Sequence, residues 1–146
     1  MHNRLTTGDR IAQWNTGADT SCVFCRASLE TRNHLFFECS FTERVWSNLV
    51  RKLLAPDYTN SWNEILNQLQ EHLREKTRQW LFRYTFQTSL YWIWRERNNR
   101  RHGEPPTTEG QMAQFIDKQI RNKLSSIRAM GDTRYDEGMV IWFSTR

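Results

Sequence analysis

Apolar residues recur at helical spacing in several stretches of the chain, the first of which starts near Ser40 and ends before Pro56. The sequence Ser40-Phe41-Thr42-Glu43 has the pattern of a capping box, so we predict a helix over residues 41–54. Its apolar positions are Phe41, Val45, Trp46, Leu49, Val50, Leu53 and Leu54. A second capping box, Ser61-Trp62-Asn63-Glu64, predicts another helix. The apolar side of that helix carries Trp62, Ile65, Leu69 and Leu73.

Residues 76–102 contain neither glycine nor proline, which favours one long, broadly buried helix. One apolar stripe is formed by Trp80, Tyr84, Gln87, Tyr91 and Trp94, with Leu81, Phe82, Phe86, Leu90 and Ile93 beside it. The helix should stop at His102-Gly103, because glycine is the usual residue just past a helix end and Pro105-Pro106 follows.

A third capping box, Thr108 to Gln111, predicts a further helix. The apolar positions of that helix are Met112, Phe115, Ile116, Ile120, Leu124 and Ile127. The final apolar run, residues 139–143, is compatible with a buried strand or with an apolar tail that clamps onto the core. The pattern therefore indicates a mainly helical fold with a short C-terminal strand as one option.

The length of 146 residues suits one domain, and 7 Trp, 8 Phe and 4 Tyr are too many aromatic residues for a disordered segment. The net charge of +5 permits a polyanionic partner without requiring one. We find no apolar stretch of about 18 residues and no apolar run of a signal peptide. We therefore predict no membrane contact and an intracellular location, and the sequence leaves nucleus and cytoplasm open.

All three cysteines lie within residues 22–39, and a histidine lies between them. Cys22, Cys25, His34 and Cys39 are separated by two, eight and four residues, and they provide the donor set of a closed tetrahedral zinc site. An odd number of cysteines without an export signal makes disulfides the weaker interpretation. The alternative is three buried free cysteines beside a histidine. With four protein ligands the zinc would be structural.

These features predict a small zinc-stabilised lobe followed by a helical bundle. We place the zinc-binding lobe and its following helix in residues 1–58. The helical C-terminal region, residues 59–146, should pack on it to form one cooperative domain.

The segment from residue 74 to residue 101 has a marked excess of positive charge. It carries Arg74, Lys76, Arg78, Arg83, Arg95, Arg97, Arg100 and Arg101 against Glu75 and Glu96. Arginine suits phosphate, and the adjoining Tyr91, Trp92 and Trp94 are able to stack on bases. The alternative is that cations of the last turn offset the helix dipole, while the tryptophans belong to the core.

A second basic run follows on the next predicted helix and consists of Lys118, Arg121, Lys123 and Arg128. Residues 118, 121 and 128 are spaced to share roughly one face, but a merely solvated helix face explains this run better than a binding surface does. From both runs we take six candidate contacts to RNA or single-stranded DNA: Arg95, Arg97, Arg100, Arg101, Arg121 and Lys123.

Signatures of catalysis are scarce in this sequence. It has no glycine-rich phosphate loop and no serine or cysteine nucleophile motif. Asp132, Asp136 and Glu137 form an acidic cluster, but they lack a distant carboxylate partner, so a solvated turn explains them better than a two-metal site. We therefore expect a protein that is not an enzyme.

Several blocks, RLTTGDRIAQW, CVFC, ETRNHLFFEC and RVW, resemble the zinc-binding domain that follows the reverse transcriptase in plant LINE-type non-LTR retrotransposons. The blocks YWIWRERNNRRHG and IDKQIRNKLSSIRAMGDTRYDEGMVIWF resemble the tail of such elements. The resemblance implies a zinc finger of the CCHC type with Cys22, Cys25, His34 and Cys39 as ligands. It also implies binding of element RNA or target DNA and brings no catalytic residue.

Members of that family carry a tryptophan-containing helix before the Arg-Leu-x-Thr segment, whereas this sequence starts at Met1. An apolar surface where that helix would pack is expected to favour self-association. The sequence thus supports a retroelement-derived, non-catalytic, nucleic-acid-binding zinc protein. The alternative is a protein-interaction or purely structural zinc module, a retained fragment without selected activity, which predicts a defined oligomer and arginines in internal ion pairs.

Overall fold

The computed structural model describes residues 5–71 and 75–146, so the predicted positions Leu73 and Arg74 lie outside the described residues. Its helices are α1 (Gly8–Ile11), a π-helical turn (His34–Glu38), α2 (Ser40–Leu54), α3 (Trp62–Gln70), α4 (Lys76–Arg101), α5 (Glu109–Ala129) and α6 (Gly138–Ser144). Over these ranges the only β pairing is an isolated antiparallel bridge between Ser21 and Leu29. The prediction of a mainly helical fold is therefore confirmed. No helix in the described part of the chain has the length and apolar character to cross a membrane.

The C-terminal apolar run is a helix, so the strand option was wrong. A short apolar run has no clear period, and the described residues offer it no strand to pair with. Trp142 of α6 is fully buried and donates its indole N–H to Asp117 of α5 over 2.8 Å. The Arg146 guanidinium lies 3.7 Å from the centre of the Trp142 ring. The run thus acts as the apolar tail clamp that was the other option.

Four of the predicted helix ends rested on capping residues, and one of the four positions was wrong. Ser61 is the N-cap of α3, as predicted, but its side chain makes no capping hydrogen bond. Thr108 and Gln111 form the reciprocal hydrogen bonds of a capping box. Gly103 has φ of +81° and follows α4, where its N–H donates to the Arg100 carbonyl over 3.2 Å. Ser40, however, lies inside α2, and Cys39 is the N-cap because its extended backbone ends the preceding π turn.

Helices α2, α4 and α5 pack against one another and enclose the core. The largest fully buried side chains include Trp46, Phe36, Phe37, Phe82, Leu81 and Ile93. These residues come from both predicted segments, 1–58 and 59–146, and one continuous apolar cluster contains them. Whether the two segments unfold together stays a prediction.

The face that α4 turns to the core differs from the predicted stripe. Gln87 is exposed and Tyr91 is 57% exposed, although both belonged to that stripe. The buried face instead includes the small polar residues Thr85, Thr88 and Ser89. Helical spacing alone favoured the bulky rings, whereas Trp80, Trp92 and Trp94 pack at the margin of the core.

Candidate metal centre

The four predicted metal ligands lie together, and their ligating atoms are all within 4.8 Å of one another. Cys22 Sγ and Cys39 Sγ are 3.8 Å apart, and Cys25 Sγ lies 3.3 Å from His34 Nε2. With Zn–S bonds of about 2.3 Å, two sulfur ligands of a tetrahedral ion are about 3.8 Å apart. The sulfur pair is too distant for a disulfide, whose S–S bond is about 2.05 Å. The donor set therefore fits a tetrahedral zinc ion.

A tight turn brings Cys22 and Cys25 to the same side of the chain. The Arg26 N–H donates to the Cys22 carbonyl over 2.9 Å, and the Cys22 N–H donates to the Ser28 carbonyl over 2.7 Å. Arg26 has φ of +58°, in the left-handed region that a residue with a side chain seldom adopts. The turn is thus held by backbone bonds at both ends.

The π-helical turn brings His34 and Cys39 together. In an α-helix, side chains five residues apart point about 140° away from each other. Here the Cys39 N–H donates to the His34 carbonyl over 2.8 Å, and this wider turn stacks the two residues on one side. The His34 N–H donates to Thr31 Oγ1 over 3.1 Å, which anchors the start of the turn. The spacing anticipated the convergence but not the π geometry that produces it.

Hydrogen bonding makes the two buried cysteines electrostatically unequal. The Cys22 thiol donates to the Cys39 sulfur, and this bond together with burial raises the pKa of Cys22. The same bond lowers the pKa of Cys39, because the donated proton stabilises its thiolate. Thiolates are the form that binds metal, so Cys39 is the more readily ionised donor of this pair.

A fully buried carboxylate, Glu30, connects the metal lobe to α4. Glu30 Oε1 accepts hydrogen bonds from the Gly8 N–H over 3.2 Å and from Arg97 Nη2 over 2.7 Å. It also accepts one from Arg101 Nη2 over 3.2 Å. Glu30 was not among the predicted site residues, because nothing in the local sequence pattern marks it. Its burial against a residue 67 positions away is a consequence of tertiary packing.

Two of the predicted phosphate ligands are engaged inside the protein. Arg97 is buried, and besides Glu30 it donates to the Thr6 carbonyl over 2.8 Å. Arg100 donates to Glu96 over 2.8 Å and to the Thr107 carbonyl over 2.8 Å. The Arg100 guanidinium also lies against the stacked rings of Phe24 and Phe41, 4.9 and 4.7 Å from their centres. These arginines fasten α4 to the metal lobe.

The Glu96 carboxylate is buried in the same network. Burial by itself would raise the pKa of Glu96, but hydrogen bonds from Arg100 and Thr107 outweigh it and lower the pKa below the usual range. Glu96 is therefore ionised at neutral pH, and the charge of Arg100 compensates it.

The remaining predicted contacts lie at the surface but do not share one face. Arg95 and Lys123 are exposed, and Arg101 is exposed apart from its contact to Glu30. Arg121 pairs with Asp117 over 2.9 Å. Since successive residues of an α-helix are rotated by about 100°, Arg121 and Lys123 point about 160° apart on α5. The structure does not assemble the six predicted cations into a single patch.

The acidic cluster near the C-terminus is occupied by a local ion pair. Hydrogen bonds from Arg134 lower the pKa of Asp132 to about 2. Over the described ranges, the set of Cys22, Cys25, His34 and Cys39 is the only group of His, Cys, Asp and Glu side chains arranged to hold a metal. Residues 134–137 form a turn before α6.

Replacement of Gly8 by alanine is expected to destabilise the metal lobe. A Cβ atom at Gly8 would lie 2.3 Å from the Thr20 carbonyl oxygen, so the backbone at Thr20, just before Cys22, would have to move. Overpacking of this kind costs about 1–3 kcal/mol in the free energy of unfolding. Urea denaturation of the zinc-loaded protein measures this loss in the free energy of unfolding. Gly110→Ala on α5 is the matched control, because its Cβ would have no neighbour within 4 Å and its stability should not fall.

Comparison with known proteins agrees with this geometry. Residues 1–46 match the family model described as zinc-binding in reverse transcriptase, and the match contains all four donors. The matched family is the accessory zinc-binding domain and not the polymerase domain. No curated protein and no solved structure matches the chain. Residues 1–46, about a third of the chain, are therefore similar to the zinc-binding domain found in reverse transcriptases.

Proposed function

We propose that the protein is a non-catalytic zinc module of retroelement origin that binds RNA or single-stranded DNA. In this proposal Cys22, Cys25, His34 and Cys39 hold one structural zinc ion. The solvent faces of α4 and α5 form the nucleic-acid surface.

The donor geometry supports the structural role of the metal. The four donor atoms lie within 4.8 Å of one another, and four protein ligands complete the coordination sphere of a tetrahedral zinc ion. A water molecule then has no coordination position from which it would be activated. The ion would connect the tight turn that carries Cys22 and Cys25 to the π-helical turn and to the start of α2.

One observation carries the nucleic-acid proposal: every exposed charged side chain of α4 and α5 is a cation. These residues are Lys76, Arg83, Arg95, Arg101, Lys118, Lys123 and Arg128. The acidic side chains of the same helices are buried or half-buried, and each is paired with an arginine: Glu96 with Arg100, Glu109 with Arg44, and Asp117 with Arg121. The solvent side of this helix pair is therefore positively charged.

The six candidate contacts consequently divide into two groups. Arg95, Arg101, Arg121 and Lys123 remain candidates for phosphate binding, because part or all of each side chain reaches solvent. Arg97 and Arg100 are assigned to packing, because their guanidinium groups contact Glu30, Glu96 and backbone carbonyls.

Neutralising the α5 cations is expected to weaken binding and reduce its salt dependence. Affinity for a labelled single-stranded oligonucleotide should be measured by fluorescence anisotropy across a salt series. In the variant Lys118→Gln/Arg128→Gln, whose two exposed side chains point about 80° apart on α5, the slope of log affinity against log salt should fall by about 1.4, which corresponds to two single-strand phosphates.

The variant Arg51→Gln/Lys52→Gln on α2 is the matched control, since it removes the same charge from exposed residues of another helix. It should keep the slope of the unmodified protein. Equal losses in the two variants would show that net charge alone attracts the oligonucleotide and would contradict an α4–α5 surface. No binding by the unmodified protein would reject the nucleic-acid function.

A protein-interaction or purely structural module is the second candidate. The internal ion pairs of Arg97 and Arg100 favour it, since that hypothesis predicts such pairs. Trp14 and Leu29 of the N-terminal lobe are 69% and 49% exposed, which gives apolar groups for self-association. Sedimentation velocity distinguishes the candidates. A defined oligomer that binds no oligonucleotide supports the module, and a monomer that binds one supports the nucleic-acid function.

A further inference from the structure

A cleft of about 250 Å³ opens between the C-terminal half of α4 and the start of α5. Its lining includes Trp92, Arg95, Asn99, Thr107, Met112 and Phe115. The positions 92, 95 and 99 are three and four residues apart, so their side chains share one face of α4. The cleft lies on the cationic side of the helix pair and is separate from the four metal donors.

One wall of the cleft is aromatic and open to solvent. The rings of Trp92 and Phe115 are stacked, with centres 5.3 Å apart and planes inclined by 29°. Tyr91 meets Trp92 edge-on at 5.7 Å. Phe115 is 42% exposed and Tyr91 is 57% exposed, although burial of aromatic rings is strongly favourable. Neighbouring exposed rings of this kind are a candidate binding surface.

The Trp92 ring is held in a fixed orientation. Its indole N–H donates to Gln119 of α5 over 2.8 Å. Since that is the only donor of the indole, Trp92 offers an incoming ligand its π surface and no hydrogen bond. The wall is thus suited to stacking.

The other side of the cleft carries polar groups without hydrogen-bond partners among the described residues. The Arg95 guanidinium lies 5.2 Å from the Trp92 ring, and it makes no hydrogen bond or ion pair with the described residues. The Asn99 amide likewise has no side-chain hydrogen bond within the described ranges. Glu96 lies close by, but Arg100 and the Thr107 N–H already occupy its carboxylate. The cleft therefore combines free donors with a compensated negative charge.

We infer that this cleft binds one unpaired nucleobase of a single strand, an inference that rests on the proposed nucleic-acid function. The base stacks on the exposed face of the Phe115 ring, which is backed by Trp92, and the Asn99 amide hydrogen-bonds its edge. Arg95 binds the adjoining phosphate. Stacking on aromatic side chains accepts every base, because every base has a π face. The cationic surroundings favour a nucleotide over an apolar peptide, which would leave Arg95 and Asn99 unpaired.

The test compares a short deoxythymidine oligonucleotide with an abasic oligonucleotide of the same length. Phe115→Ala should weaken binding of the first by about 5- to 160-fold, the range for loss of one stacked base, and leave the abasic affinity unchanged. Phe115→Tyr should restore it, because an aromatic ring returns. Phe143→Ala on α6 is the matched control, since Phe143 is also exposed, at 55%. Circular dichroism establishes that each variant is folded.

The outcomes separate this inference from the proposed function. An unchanged oligonucleotide affinity in Phe115→Ala, or equal losses for the two oligonucleotides, overturns the base site. If the salt slope still falls in Lys118→Gln/Arg128→Gln, the charged surface is supported without the base site. An unmodified protein that binds neither oligonucleotide rejects both.

Discussion

Removal of zinc by exhaustive chelation is expected to unfold at least the segment from Thr20 to Cys39. That segment has little apolar burial of its own before the π turn, because residues 26–29 are exposed and one bridge, Ser21 to Leu29, connects its arms. Structural zinc contributes about 10–16 kcal/mol in small zinc-binding peptides. A whole domain is stable by only about 5–15 kcal/mol. Loss of the ion should therefore exceed what the remaining contacts supply.

Three measurements check this expectation. Metal analysis should find one zinc per chain, and circular dichroism should show loss of helix on chelation and recovery on zinc addition. Cobalt substitution should give the intense visible absorption of a tetrahedral thiolate site, and Cys25→Ser should weaken it. The Ser28→Ala variant, in the same turn but without a donor, is the control and should bind metal normally. A protein that keeps its fold after chelation would contradict the zinc proposal.

The same experiment tests the domain organisation. One chain-wide transition on chelation supports one cooperative domain made of residues 1–58 and 59–146. A single transition is expected because α4 shares its apolar core with the N-terminal lobe and pairs with it through Glu30 and Arg97, so unfolding of the lobe removes these contacts. Loss of only the N-terminal signal, with α4 and α5 still folded, would contradict that prediction.

Arg97→Ala is expected to destabilise the protein by about 3–5 kcal/mol, because it leaves the Glu30 carboxylate buried and without its main charge partner. The Glu30 side chain is 0% exposed and that of Arg97 only 7%, so water cannot replace the lost contact. The free energy of unfolding in urea measures the effect. Arg95→Ala, two residues earlier on α4, is the control, since Arg95 is exposed and should change stability by less than about 0.5 kcal/mol.

A second substitution distinguishes charge burial from lost packing. Glu30→Gln in the Arg97→Ala background should recover part of the stability, since a neutral amide removes the unpaired charge while its oxygen still accepts the Gly8 N–H. In the unmodified protein, Glu30→Gln should instead be destabilising. The unmodified protein, the two single variants and the double variant form a double-mutant cycle, in which Glu30→Gln should have opposite effects on stability in the two backgrounds. Equal stability of Arg97→Ala and Arg95→Ala would show that the buried pair does not hold α4 to the lobe.

Sequence alone determined the features that depend on neighbouring residues. Helical spacing predicted α2 and α4 nearly to the residue, and the Thr108–Gln111 capping box and the glycine at 103 were read from local chemistry. Residue type and spacing also selected Cys22, Cys25, His34 and Cys39, which the structure brings within 4.8 Å of one another. Such signals are local, because backbone hydrogen bonds and capping join residues only a few positions apart.

Tertiary structure decided which charges are available. Arg95 and Arg97 looked alike in sequence, yet one is exposed and the other pairs with Glu30, 67 positions earlier in the chain. The exposed position of Tyr91 and the helical form of the C-terminal run were likewise set by packing against other elements. The reason is physical: burial and ion pairing depend on which distant segments meet, and side-chain spacing along one helix does not contain that information.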